Sequence, residues 1–201
     1  SSTSIMQPYT PTTDHTTAVC SMMSIINYFN KDLKLNQDNE FKIWKNTVNV
    51  PTKGASIFGL AIQAKEYGLN PMIIVVNTEY EFPDYRFYRY TKKDIEDASF
   101  SEKQYVKQSK NIEIITRDIT IDEIKPLLEK AILLLRINIK PFTNEKNSSQ
   151  YIVIEKYENN EYTIIEPSQG KLQVTEEQLE EAFESLETKK HRGYRMVIFE
   201  K

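Results

Sequence analysis

The sequence has little cysteine, histidine or glycine: one cysteine, two histidines and five glycines among 201 residues. A single cysteine cannot form an internal disulfide, so we expect a reducing, cytoplasmic compartment. Two histidines and one cysteine give no zinc-type ligand spacing, and we expect neither a metal site nor a cofactor. The phosphate-binding pattern G-x-x-x-x-G-K does not occur in the sequence, which argues against a nucleotide-binding loop.

Long apolar runs and an excess of charge of one sign are also missing. No apolar stretch approaches the ~18 residues that span a bilayer. Residues 1–4 lack the pattern of a signal peptide, although the chain begins without methionine and so permits an upstream targeting or anchor segment. The net charge of −3 gives no general attraction for nucleic acid or an anionic membrane. The sequence does not indicate an oligomeric state.

Helical patterns dominate the first half of the chain and strand patterns dominate the second half. Val19, Met22, Met23, Ile26 and Phe29 recur at helical spacing and predict a buried helix over residues 17–29. Further helices are predicted at residues 40–48, 55–67, 91–107, 120–130 and from 175, and strands at 71–76, 112–115, 131–137, 150–157, 161–166, 171–174 and 194–199. The order predicts an α+β fold with N-terminal helices packed on a mainly antiparallel sheet.

Three local patterns sharpen this prediction. Residues 131–137 are almost continuously apolar, which is typical of a strand buried on both faces. Asn159 and Asn160 separate two strand patterns and predict a hairpin turn. Residues 140–149 are polar and are expected to form a loop. The whole chain is expected to be a single domain, residues 1–201, with an extended lead-in over residues 1–10.

Residues 11–20 read PTTDHTTAVC and lead into the first predicted helix. A helix N-terminus offers free N–H groups and partial positive charge, which can lower the pKa of a nucleophile and hold an oxyanion. This stretch resembles the nucleophile loop of the peptidase-C-thirty-nine-like family, papain-fold relatives of the bacteriocin leader peptidases that cut after a double glycine. Members usually read Gln-Thr-Thr-Asp-Tyr-Thr-Cys-Gly-Pro-Ala, and Thr12, Thr13, Asp14 and Thr16 match. The resemblance covers roughly residues 10–199 and implies a papain-like cysteine peptidase fold.

The resemblance also implies four catalytic positions, and each holds a different residue type here. Thr17 stands where the family has its cysteine, Gln150 where it has histidine, Glu166 where it has aspartate, and Pro11 where it has the oxyanion glutamine. A glutamine amide does not titrate near neutral pH, and proline has no N–H to donate. We therefore expect a pseudopeptidase whose former active-site cleft binds a peptide or protein. Gln150 is expected to keep a hydrogen bond to Thr17 or Glu166.

An alternative is that the catalytic chemistry has moved to other residues of the chain. Cys20 would then be the nucleophile of an active cysteine peptidase or amidase, with His15 or His191 as its base. The competing interpretation of Cys20 is a small buried apolar residue of the helix.

Residues 79–90, EYEFPDYRFYRY, interleave aromatic side chains with arginines. This pattern predicts a half-buried strand or a lid at the edge of the cleft. We name Asp14, His15, Tyr85 and Tyr88 as candidate peptide-binding residues. Nucleic-acid binding would depend on this stretch alone, and we expect none.

Overall fold

The computed structural model describes residues 5–81 and 90–201. Within these ranges seven strands form one sheet, in the order β2-β1-β7-β3-β4-β5-β6. The strands are β1 (Pro71–Val75), β2 (Glu113–Thr116), β3 (Ala131–Asn138), β4 (Ser149–Glu158), β5 (Glu161–Glu166), β6 (Gly170–Thr175) and β7 (Arg195–Glu200). The pair β1–β2 is parallel and the other described neighbours are antiparallel.

Helices cover both faces of this sheet. They are α1 (Thr17–Phe29), α2 (Gln37–Thr47), α3 (Ile57–Glu66), α4 (Lys92–Gln108), α5 (Ile124–Leu128), α6 (Lys140–Thr143) and α7 (Glu176–Lys190), with a short 3-10 helix at Ile121–Glu123. The predicted α+β class with a mainly antiparallel sheet is confirmed. No helix in the described ranges is both long and apolar enough to cross a bilayer.

Strand β3 is buried along its whole length because both faces of the sheet are covered. Leu134 packs in the core formed with α1, α2 and α3. Leu133 and Leu135 pack in the second core, formed with α5 and α7. The prediction that residues 131–137 form a strand buried on both faces of the sheet is therefore confirmed.

Helix α1 lies against β4, and this contact positions the site described below. Four of the five predicted face residues are fully buried: Val19, Met22, Met23 and Ile26. The prediction is wrong for Phe29, which is 36 % exposed at the last position of the helix. The hydroxyl of the buried Ser21 donates a hydrogen bond of 2.8 Å to the carbonyl of Tyr151 in β4. The N-terminus of α1 is thereby held beside the beginning of β4.

Three sequence predictions on element boundaries are wrong. Helix α2 begins at Gln37 rather than residue 40, because the Asn36 side chain caps it by accepting the Asn39 N–H at 2.9 Å. The helix predicted over 120–130 is a 3-10 helix followed by α5, with Pro126 in the second piece. The predicted loop at 140–149 contains α6, which ends where Asn144 adopts a left-handed φ of 59°.

Candidate functional site

A cleft of about 460 Å³ opens beside the N-terminus of α1. Thr17 and Ala18 of α1 line it, and so does Gln150 at the beginning of β4. The connection between α2 and α3 forms another part of its lining, which includes Asn49 and Lys53. Thr17 and Gln150, which the family resemblance assigned to the nucleophile and base positions, thus lie in the same cleft.

The other two positions implied by the resemblance do not line this cleft. Pro11 is half-buried in the lead-in segment before α1. Glu166 is fully buried at the end of β5, where its carboxylate accepts hydrogen bonds from the Ser168 hydroxyl at 2.5 Å and the Gln169 N–H at 3.0 Å. The hydrogen bonds of Oε2 of Glu166 therefore come from residues in the turn that directly follows β5.

The predicted hydrogen bond from Gln150 to Thr17 or Glu166 is wrong. The side-chain oxygen of Gln150 is buried and has no hydrogen-bond partner among the described residues. One carboxylate oxygen of Glu166 is likewise buried without a described partner. The donors that Glu166 accepts from belong to Ser168 and Gln169, and the amide N–H groups of Gln150 are not among them in the described part of the chain. Among the described residues, the positions that the resemblance assigns to the base and to its partner therefore share no hydrogen bond.

Cys20 lies one turn into α1, is fully buried and does not line the cleft. Its Sγ lies 3.6 Å from Oε2 of Glu40. Burial raises the pKa of the Cys20 thiol far above its usual value, and the negative charge of Glu40 adds to the effect. His15 lines the cleft, whereas His191 follows α7 as an exposed residue with a left-handed φ of 53° and does not.

A buried carboxylate that the sequence analysis missed anchors the lead-in segment to α2. Glu40 accepts hydrogen bonds from the Tyr9 hydroxyl at 3.2 Å, the Thr12 N–H at 3.0 Å and the Thr12 hydroxyl at 2.8 Å. The fully buried Thr16 hydroxyl donates the shortest bond, at 2.6 Å. Burial by itself works to raise the pKa of Glu40, but these hydrogen bonds outweigh it and hold the pKa below its usual value.

Asp14 and His15, two of the predicted binding residues, line the mouth of the cleft. Nδ1 of His15 lies 3.2 Å from Oδ1 of Asp14, and this hydrogen bond lowers the pKa of Asp14. The His15 ring also lies against Trp44, with ring centroids 4.9 Å apart. The other two predicted binding residues, Tyr85 and Tyr88, lie outside the described residues, as does most of the predicted strand or lid.

Buried charged residues form one side of the cleft. Arg195 is 2 % exposed and donates to Glu102 at 3.2 Å, and Arg136 is 7 % exposed and donates to Glu81 at 2.9 Å. Glu81 also accepts the N–H of Gly193 at 3.1 Å. Each arginine therefore has a carboxylate partner, as burial of a charge requires. Sequence reasoning did not identify these pairs.

The comparison with family models agrees with the resemblance seen in the sequence. An α+β fold in which the N-terminus of the first helix opens into a cleft beside an antiparallel strand is the arrangement that the resemblance implied. A model described as Peptidase_C39 like family matches residues 6–199, and the chain belongs to this family.

A search of solved structures finds a chain described as a double glycine motif protease from an AMS/PCAT transporter in complex with the leader peptide. It is 12 % identical, with a TM-score of 0.48, and the match covers 98 % of this chain and 100 % of that chain. A search of the curated proteins finds no match.

Proposed function

We propose that this protein is a pseudopeptidase that binds a peptide or a protein segment in the cleft without cutting it. The observation that carries the proposal is the position of the chain's single thiol. Cys20 is buried against Glu40 and does not line the cleft. Thr17 and Gln150, to which the resemblance assigns the nucleophile and base positions, do line it.

The chemistry of these residues supports the loss of peptidase activity. A threonine hydroxyl needs a strong base, and threonine nucleophiles normally use their own free N-terminal amine, which the internal Thr17 lacks. Gln150 cannot accept a proton near neutral pH. His15 contacts Asp14 and Trp44, and no hydrogen bond joins it to Thr17 in the described part of the chain.

The cleft itself suits a peptide. A volume of about 460 Å³ lies within the range of small-ligand sites in proteins. Its lining combines amide side chains, such as Asn49 and Gln150, with hydroxyl and charged side chains. A peptide presents N–H donors and carbonyl acceptors in alternation, so a lining of mixed donors and acceptors can pair with its backbone.

The alternative is an active cysteine peptidase or amidase that uses Cys20, and it requires a rearrangement of the structure around this residue. Cys20 would have to leave its contact with Glu40, reach the cleft and lose its proton. Burial and the neighbouring carboxylate both oppose formation of the thiolate, which is the reactive form. The geometry therefore favours binding over catalysis.

The proposal predicts that the protein binds selected peptides and leaves them intact. Random octapeptides displayed on phage would be selected on the wild-type protein, and the recovered peptides measured by fluorescence polarisation. Ala18 lines the cleft, so Ala18→Trp should place an indole there and weaken binding at least about tenfold. Mass spectrometry after prolonged incubation should show only the intact peptide.

A matched control separates occupation of the cleft from a general effect of tryptophan. Lys189 is exposed near the end of α7 and does not line the cleft, so Lys189→Trp should bind like the wild type. Equal loss in both variants, or no recovered binder, would contradict binding in the cleft. Peptide fragments that disappear in a Cys20→Ala variant would support the enzyme alternative instead.

A further inference from the structure

Three residues that line the cleft each have a buried polar atom without a hydrogen-bond partner among the described residues. These atoms are Oδ1 of Asn49, Oε1 of Gln150 and Nε of Arg195. A buried polar group without a partner is unfavourable, and native structures contain few of them. The described part of the chain has six such atoms, so half of them belong to residues of this one cleft.

Asn49 has one polar atom that its neighbours leave unused. Its backbone N–H donates to the carbonyl of Gly54 at 2.9 Å, and its own carbonyl accepts the hydroxyl of Thr52. Its side-chain Nδ2 donates to the carboxylate of Glu102 at 3.3 Å. Because a carboxylate only accepts hydrogen bonds, Nδ2 is the end of the amide that faces it, and Oδ1 remains as an unused acceptor.

Gln150 is held by its backbone, whereas its side-chain amide has no partner among the described residues. The backbone belongs to β4, where Gln150 pairs with Ile137 of β3, and the carbonyl of the next residue, Tyr151, accepts the Ser21 hydroxyl. Neither Oε1 nor Nε2 of Gln150 forms a hydrogen bond with a described residue. Because the residue is half-buried in the lining, rotation about its last side-chain bond can turn either end of the amide toward the cleft.

A peptide amide supplies the hydrogen bonds that these residues lack. The three unused atoms are two acceptors and one donor. A peptide amide presents an N–H donor beside a carbonyl acceptor, and the primary amide of Gln150 presents the same two functions. Two amide groups can therefore pair through two hydrogen bonds at once, which fixes the orientation of the ligand as well as its position.

We propose that Gln150 recognises the bound peptide through an amide group of the peptide that pairs with both ends of the glutamine side chain. The inference depends on the proposed function and deepens it, because it names the recognised group and the residue that contacts it. A glutamine at this position can donate and accept hydrogen bonds but cannot transfer a proton near neutral pH. The recognised amide can belong to the peptide backbone or to an asparagine or glutamine side chain, and the experiment separates these two sources.

The test uses the tightest octapeptide from the phage selection and two series of analogues. In one series each backbone N–H in turn is replaced by an ester oxygen, and in the other each asparagine or glutamine is replaced in turn by leucine or methionine. Removing the recognised amide should weaken binding to the wild type at least about fivefold, because one or both hydrogen bonds are lost. In Gln150→Met, which has a side chain of similar shape without hydrogen-bonding groups, the same replacement should have no effect.

Gln150→Glu is a second variant, which retains the acceptor oxygen and lacks the donor. It should bind the unchanged peptide at least about fivefold more weakly than the wild type, because a carboxylate cannot donate to the peptide carbonyl. Gln104→Met is the matched control, because Gln104 is also half-buried but does not line the cleft. Gln104→Met should respond to every analogue like the wild type.

Circular dichroism establishes that each variant is folded before its binding is compared. Wild-type binding that is indifferent to every replacement, or an equal response in Gln150→Met and Gln104→Met, would overturn the inference while peptide binding itself stands. Unchanged affinity in Gln150→Glu would overturn it as well, since the donor of Gln150 would then be unused. Failure to recover any peptide would overturn the proposed function and the inference together.

Discussion

Replacing Glu40 with alanine is expected to lower the free energy of unfolding by about 3–5 kcal/mol. One buried carboxylate accepts hydrogen bonds from Tyr9, Thr12 and Thr16, and bonds to a charged acceptor contribute about 1.5–3 kcal/mol each. The variant would leave the fully buried Thr16 hydroxyl without this acceptor. Urea denaturation followed by circular dichroism measures the change.

The control for this prediction is Glu66→Ala. Glu66 is an exposed glutamate at the end of α3 with no ion pair in the described ranges, so its removal should change stability by less than about 0.5 kcal/mol. Similar losses in the two variants would mean that the Glu40 hydrogen bonds contribute nothing beyond an average surface glutamate.

The same carboxylate should make this part of the fold sensitive to acid. The hydrogen bonds hold the pKa of folded Glu40 below its ordinary value of 4.5, so the unfolded chain takes up the proton at a higher pH than the folded one. The stabilisation is therefore complete above 4.5 and is lost as the pH falls through the lower folded value. The stability difference between wild type and Glu40→Gln should shrink over that window.

Glu40 also connects stability to the proposed binding site. It holds Thr12 and Thr16 on either side of Asp14 and His15, which line the cleft. Loss of this anchor removes the contacts that fix the mouth of the cleft. We therefore expect the segment before α1 to shape the proposed peptide-binding surface.

Elements with strong local patterns could be predicted from the sequence. The apolar spacing of α1 predicts a helix with the bounds Thr17–Phe29, because Val19, Met22 and Met23 recur on its buried face, although Phe29 at its end is exposed. Asn159 and Asn160 adopt left-handed φ values of 56° and 64°, as a tight hairpin turn requires. The lack of any such pattern explains the missed helix α6, which is only four residues long.

The charged contacts of the site could not be predicted in the same way. Arg195 and Glu102 are 93 residues apart in the chain, and Arg136 and Glu81 are 55 apart, so no local spacing joins them. The burial of Glu40, by contrast, could have been predicted from the sequence. It shares the buried face of α2 with Ile43 and Thr47, at positions i, i+3 and i+7, and an acidic residue on an apolar face needs buried donors.

Cys20 in the folded protein is expected to react with iodoacetamide at least about 1,000-fold more slowly than in the unfolded chain. The side chain is fully buried, so labelling requires the surrounding core to open. Burial and Glu40 also raise the thiol pKa, so the thiolate is scarce across the neutral range. Labelling rates measured against pH, with and without denaturant, test both causes.

A matched variant moves the thiol into the cleft by combining Thr17→Cys with Cys20→Ala. Position 17 lines the cleft at the N-terminus of α1, where free N–H groups favour a thiolate, so this thiol should react at least as fast as a free cysteine. Slow labelling at position 17 would mean that small molecules do not enter the cleft, which would contradict peptide binding there. Fast labelling of Cys20 in the folded wild type would contradict its burial and would favour the alternative in which Cys20 is the nucleophile.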